Sequence, residues 1–225
     1  MKVTKLIIYI FIMLALFLFV NCSNNNIQKG TICLSLGDYQ MAITFFEKEL
    51  FMHPQNYEAR LGLGKALLQN AIADNNDSIL WKKALIQLEA AQTLQPEADL
   101  SPLISDAWFE HSRVLLENND SIGALAALSQ AIEHNNKNVV AINNAGIIYF
   151  KKGETGKAES LFKKAITIEN NNVAGHFNLG MIYWSKQDFD DARACLITAA
   201  HLDPADDDIV YWLALVEKSL QGINQ

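Results

Sequence analysis

Proline and glycine are scarce in this 225-residue chain, 4 and 11 respectively. That argues against a many-turned β fold and suits helices. Cysteine is scarcer still, with only Cys22, Cys33 and Cys195. There is no CxxC, CxxH or HExxH, and no two of the five histidines (His53, His111, His134, His176, His201) fall at i, i+3 or i+4. No metal centre is therefore expected. No GxxxxGK[ST] occurs, and the GxG at Gly62 and Gly64 lies in a helical pattern, so no phosphate-cradling loop is expected. Asp74–Ser78 imitates the start of a calcium loop, but Ile79 and Leu85 stand where an EF-hand needs Gly and Glu. Basic residues are outnumbered, 18 to 25, giving a net charge of −7. A chain of that sign neutralises phosphates poorly, so nucleic acid is not an expected partner. The acidity reads as a solvated surface. No catalytic constellation emerges, so the chain is not expected to be an enzyme, to carry a cofactor or to take a small-molecule substrate.

Long apolar runs are also missing, with one exception at the N-terminus. Lys2 and Lys5 precede Leu6–Val20, an unbroken apolar run of 15 residues. A membrane span needs roughly 20, whereas a secretory leader needs fewer. Cys22 follows, and then a polar Ser23-Asn24-Asn25-Asn26 stretch. This arrangement resembles a bacterial lipoprotein signal, although Phe19 and Asn21 replace the usual Leu and small residue before the cysteine. The resemblance implies cleavage after residue 21, lipidation of Cys22 and a tether over 22–26. It also implies a location in the bacterial cell envelope outside the cytoplasm. Ser23, in place of a retention Asp, leans toward the outer membrane. An uncleaved anchor helix and a signal peptide cut elsewhere are the competing readings. Without the leader, 16 basic residues face 25 acidic ones.

The rest of the chain repeats itself. Gly146 and Gly180 are 34 residues apart, as are Ala158 and Ala192, and Gly30 and Gly64. In that register, position 8 is Gly30, Gly64, Ser112, Gly146 and Gly180. Position 20 is Ala42, Ala84, Ala124, Ala158 and Ala192, and position 24 is Phe46, Leu88, Leu128, Phe162 and Leu196. Position 32 is Pro54, Pro96, Asn136, Asn170 and Pro204. Small residues at 8 and 20 allow two helices to approach closely, and the large residue at 24 fills the space between them. Proline at 32 ends the second helix. Apolar residues recur at three- and four-residue intervals, as in Ala158, Leu161, Phe162 and Ala165.

The spacing and residue types resemble the tetratricopeptide repeat. The implied fold is all-α: a right-handed superhelical solenoid of about five helix–turn–helix repeats with a C-terminal capping helix. The repeats occupy 27–206, with units near 23–56, 57–98, 105–138, 139–172 and 173–206. A cap and tail fill 207–225, where Ile209, Leu213, Val216 and Leu220 form one stripe behind Asp206-Asp207-Asp208. Repeat 2 is longer than the others by eight residues, and the excess is expected as a polar loop over 71–78. Six further residues around 97–105 separate repeats 2 and 3, flanked by Pro96 and Pro102. Repeat 1 carries Glu49 where position 27 is otherwise small. Cys33 and Cys195 fall in the first and last repeats and are expected unpaired.

In arrays of this kind the first helix of each repeat lines a concave face through positions 2, 5, 6, 9, 12 and 13. The resemblance thus implies a partner-binding groove that includes Phe109, Arg113, Asn143, Asn144, Ile147, Phe177, Asn178, Met181, Trp184 and Tyr211. Phe109, Phe177, Met181, Trp184 and Tyr211 are surplus to the core pattern, and an aromatic patch on an open face suits binding. Asn144 and Asn178 share position 6, where an amide can donate to and accept from an extended backbone. The bland alternative is packing between neighbouring helices. The carboxylate clamp known in chaperone-binding arrays is not matched, because Asn143 and Ile147 occupy two of its positions. The implied role is a membrane-tethered adaptor that binds a protein partner. The alternative is a self-associating scaffold of the cell envelope.

Overall fold

The computed structural model describes residues 25–73 and 78–223. The leader, Cys22, most of the tether and the calcium-like segment at 74–77 lie outside the described residues. The described elements are helical: α1 Asn26–Ser35, α2 Tyr39–Met52, α3 Tyr57–Ala73, α4 Ser78–Leu94, a 3₁₀ turn Pro96–Ala98, α5 Ser101–Glu117, α6 Ser121–His134, α7 Val139–Lys151, α8 Thr155–Ile168, α9 Val173–Ser185, α10 Phe189–Leu202 and α11 Asp207–Ile223. The chain divides after Ala107, within α5, into two compact units. The first unit contains α1–α4, and the second contains α6–α11.

Each helix pair forms for the same local reasons. Asn56, Asn138, Asn172 and Asp206 cap the first helices, accepting from the backbone N–H three residues on at 3.0, 3.0, 2.6 and 3.1 Å. Asp38 and Asp120 cap second helices in the same way. Such caps satisfy N–H groups that the helix leaves unpaired. Position 15 ends the first helix in the left-handed region. It is Gly37 (φ 78°), Asn119 (φ 60°), Gly153 (φ 77°) and Gln187 (φ 66°). The following N–H then reaches back to the helix, as Asp188 does to the Tyr183 carbonyl at 3.0 Å. That bond is the mark of a Schellman stop.

Between the helices of a pair, position 8 faces position 24. A Cβ on Gly146 would lie 2.6 Å from the Phe162 ring, and one on Gly180 would lie 2.9 Å from Leu196. Phe46 is held on two sides, since Cβ atoms on Gly30 and Gly62 would come within 2.8 and 2.4 Å of its ring. Phe46, Phe162 and Leu196 are at most 1 % exposed. Full burial of such side chains contributes about 1.5–3 kcal/mol each. Ser112 is the one hydroxyl at position 8, fully buried, and it donates to the Phe109 carbonyl at 2.6 Å.

Two expectations are corrected. The surplus of repeat 2 is not simply a polar loop. α3 continues to Ala73 and α4 begins at Ser78, each 17 residues long against 13 and 14 in α7 and α8. The added turn of α3 buries Ala71, 1 % exposed, which favours helix over loop. The spacer before repeat 3 is likewise partly helix. α5 starts at Ser101, so Pro102 stands in its first turn, where no N–H is needed. Ile104 is fully buried, and the Gln92 side chain ties the spacer down by accepting from Leu100 N–H and donating to the Pro96 carbonyl. The terminal helix α11 does cover the array, with Ile209 and Val216 fully buried. Cys33 and Cys195 are free thiols.

Candidate functional site

The ten groove residues expected from repeats 3–5 and the cap all fall in the second unit, and they behave differently from one another. Tyr211 is 61 % exposed. Arg113 is exposed and pairs with Glu110 at 2.8 Å. Phe109 is half-buried against the cluster of Ala124, Leu128 and Ala141, and Ile147 is half-buried against Phe162 and Ile182. Phe177 and Trp184 pack on Ala192, Leu196 and Val216. Met181 and Asn178 are half-buried. The aromatic residues are thus largely absorbed between neighbouring helices, and a wide open aromatic face is not what they form.

The asparagines separate in the same way. Asn143 is only 6 % exposed, and its amide donates to the Asn172 side chain at 2.8 Å. Asn172 simultaneously caps α9, so Asn143 clamps repeat 4 onto repeat 5 and is not available at the surface. Asn144 donates to the Val140 carbonyl of its own helix at 2.8 Å, which leaves its side-chain oxygen for a partner.

Sequence reasoning missed an aromatic group around Trp184. Phe189 and Trp212 both meet the Trp184 ring edge-on, at 5.0 and 5.9 Å, and Tyr211 continues the row at 5.7 Å from Trp212. Such edge contacts contribute about 0.5–1.5 kcal/mol beyond area burial. Nearby, Glu159 of α8 accepts from Lys163 at 2.6 Å and from Lys186, just past α9, at 2.5 Å. These hydrogen bonds hold the Glu159 carboxyl below its ordinary value and raise Lys163. Burial, helped by the Asp191 charge, pushes the Cys195 thiol up to about 11, so it stays protonated at neutral pH.

Two concavities lie in the first unit. One hollow of about 340 Å³ is lined by Leu34, Tyr39, Lys65, Leu68, Gln69 and Leu103. A second of the same size is lined by Ile27, Thr31, Leu34, Phe46, Glu58, Leu61, Gly62 and Lys65. Leu34 and Lys65 belong to both. In the repeat register Ile27 and Leu61 are position 5, Thr31 and Lys65 position 9, and Leu34 and Leu68 position 12. Glu58, Gly62 and Gln69 fill positions 2, 6 and 13. These are the groove positions of repeats 1 and 2, which the same rule would have named had it been carried beyond repeats 3–5. The floor is apolar, supplied by Phe46 where Gly62 leaves space, and Glu58, Lys65 and Gln69 supply polar groups. Among the described residues no three metal-ligating side chains converge.

Two family models, both described as tetratricopeptide repeat, match the chain: one over residues 28–75 and 109–173, the other over 149–216. Solved structures agree. The MamA protein is 23 % identical over 80 % of this chain and 90 % of its own, with a TM-score of 0.54. YrrB, described as a TPR protein with an unusual peptide-binding site, is 19 % identical over 83 % and 89 %, with a TM-score of 0.55. The first TPR of Spaghetti (RPAP3), solved bound to the HSP90 peptide SRMEEVD, is 15 % identical over 52 % and 93 %, with a TM-score of 0.50. At these identities the likeness establishes the fold.

Proposed function

Since this chain belongs to the tetratricopeptide repeat family, we propose that it is a protein-interaction adaptor whose concave face holds an extended segment of a partner protein. The observation that carries this reading is the pair of adjacent hollows in the first unit, built mainly from groove-register residues of α1 and α3. An apolar floor with a few polar groups on its walls is the surface an extended peptide needs: pockets for alternate side chains and donors for its backbone. That YrrB has a peptide-binding site and that the Spaghetti domain was solved with a peptide bound favours the same use here. The second unit offers a contact surface of its own at Asn144, Asn178, Trp184 and Tyr211, whereas Asn143 acts from beneath it.

The adaptor is tethered to a bacterial membrane through Cys22 and works in the cell envelope, with the outer membrane favoured by Ser23. The apolar run ending at Cys22 supports this. No helix of the described residues is long and apolar enough to cross a membrane. Two measurements test the proposal. Leu61→Ser with Lys65→Glu should abolish retention of a cross-linked partner while helical content by circular dichroism stays unchanged, and full retention would refute the groove. Intact-mass analysis of the membrane-extracted protein should show a diacylglyceryl group on an N-terminal Cys22. A chain beginning at Met1, or an unmodified Cys22, would refute the anchor.

A further inference from the structure

The C-terminal turn of α2 carries two large apolar side chains that no described residue covers. Phe51 is 85 % exposed and Met52 is 63 % exposed. Single exposed apolar residues are ordinary, but a bulky adjacent pair at a helix end is a contact surface. Its position in the fold is fixed by α1. The Asn26 amide donates to Glu49 at 3.1 Å, so the last turn of α2 lies beside the first turn of α1. The described residues begin beside that point, at Asn25. Cys22 is four residues before Asn26, and four residues span at most about 14 Å.

We propose that Phe51 and Met52 insert into the lipid bilayer beside the acyl anchor and orient the first repeat with the α1 start and α2 end toward the membrane. The proposal rests on the reading of Cys22 as lipidated. If the cysteine sits in the bilayer, the α2 end stands within the length of this short tether from the headgroups, close enough for two bulky side chains to reach the acyl boundary. Interfacial attachment scales with the apolar area buried there. Attraction to anionic lipid contributes little, because Lys29 and Lys48 are matched by Glu47 and Glu49 in the same repeat. The other exposed large apolar residues of this repeat, Ile32 (49 %), Leu36 (78 %) and Met41 (46 %), lie toward the opposite end of the helix pair. That end is about 15 Å away, the length of α1.

The test uses the full chain in its own membranes, with Cys33→Ser and Cys195→Ser as background and a nitroxide attached at Phe51→Cys or, separately, at Leu36→Cys. Collision rates with oxygen, which concentrates in lipid, and with a polar nickel chelate, which stays in water, report depth. Intact mass of the same samples reports Cys22. The expected result is oxygen-dominated relaxation at position 51, at least several-fold over position 36, in chains carrying the lipid on Cys22. A lipidated Cys22 with position 51 in water overturns the insertion and leaves the anchor standing. Equal depth at 36 and 51 overturns the orientation. Immobilisation at 51 with neither collider having access means that a protein covers the pair and also overturns the proposal. Position 51 in lipid with Cys22 unmodified supports insertion and overturns the acyl anchor.

Discussion

Gln187 sits at φ 66°, in the position where repeats 1 and 4 have Gly37 and Gly153 at φ 78° and 77°. A non-glycine residue in the left-handed region costs about 1–2 kcal/mol. Replacing it by glycine removes that cost but loosens the unfolded chain, which offsets about 0.4–1 kcal/mol. Gln187→Gly should therefore stabilise the protein by about 0.5–1 kcal/mol. The Gln187 side chain is exposed, so little packing is lost, and the Schellman bonds through the Gln187 and Asp188 N–H groups are kept. In urea, with a slope near 2 kcal/mol/M, the midpoint should rise by about 0.25–0.5 M. Gly153→Ala is the reciprocal probe. A Cβ there meets nothing within 4 Å, so only the backbone is strained, and the midpoint should fall by a similar amount. Asn119, at φ 60°, is a side chain that tolerates this region, so Asn119→Gly should do less. A midpoint lowered by Gln187→Gly, with Gly153→Ala neutral, would refute the claim that position 15 is set by backbone conformation.

Other outcomes follow from the packing and the charges. Gly62→Ala drives a Cβ to 2.4 Å from the Phe46 ring and should cost about 1–3 kcal/mol in chemical denaturation, whereas Gly156→Ala, with open space around it, should be near neutral. Because the folded-state value of Glu159 is depressed, its contribution to stability is present above its ordinary value of 4.5 and is lost as pH falls through the lower folded value. Glu159→Gln should therefore flatten the acid limb of a stability–pH profile, and an unchanged limb would show that the Lys163 and Lys186 contacts contribute nothing. Cys195, held near 11 against an ordinary 9.0, should react with a thiol reagent roughly 100-fold more slowly in the native protein than after unfolding, by its thiolate fraction alone. Equal rates would mean that the thiol is not desolvated.

The repeat was legible because it is enforced by contact. Glycine at position 8 and a large residue at 24 are two halves of one close approach, seen at Gly146 with Phe162 and at Gly180 with Leu196. What the spacing could not convey was the fate of inserted residues. The surplus of repeat 2 reads as polar, yet Ala71 buries into an added helical turn. Glu49, which breaks the small-residue pattern at position 27, joins the two helices of repeat 1 through Asn26 and also meets His53 at 2.8 Å. The groove register named the right faces but not which of their residues stay open. Asn143 disappears into a clamp with Asn172, because its reach across to the next repeat depends on how the two repeats stack. The hollows of the first unit were within reach of the same register and were missed by confining it to repeats 3–5.

The most direct test of the central claim places a photo-crosslinking residue at Lys65, which lines both hollows, and at Ile86, which is 59 % exposed on the second helix of the same repeat. Irradiation of cells carrying each full-length variant, followed by mass spectrometry of the adducts, reads which face meets a partner. A discrete protein adduct at position 65 that is absent at 86, and that disappears when Leu61→Ser is added, is the predicted result. Adducts at 86 alone, or an adduct at 65 consisting of a second copy of this chain, would contradict the groove and favour a self-associating scaffold.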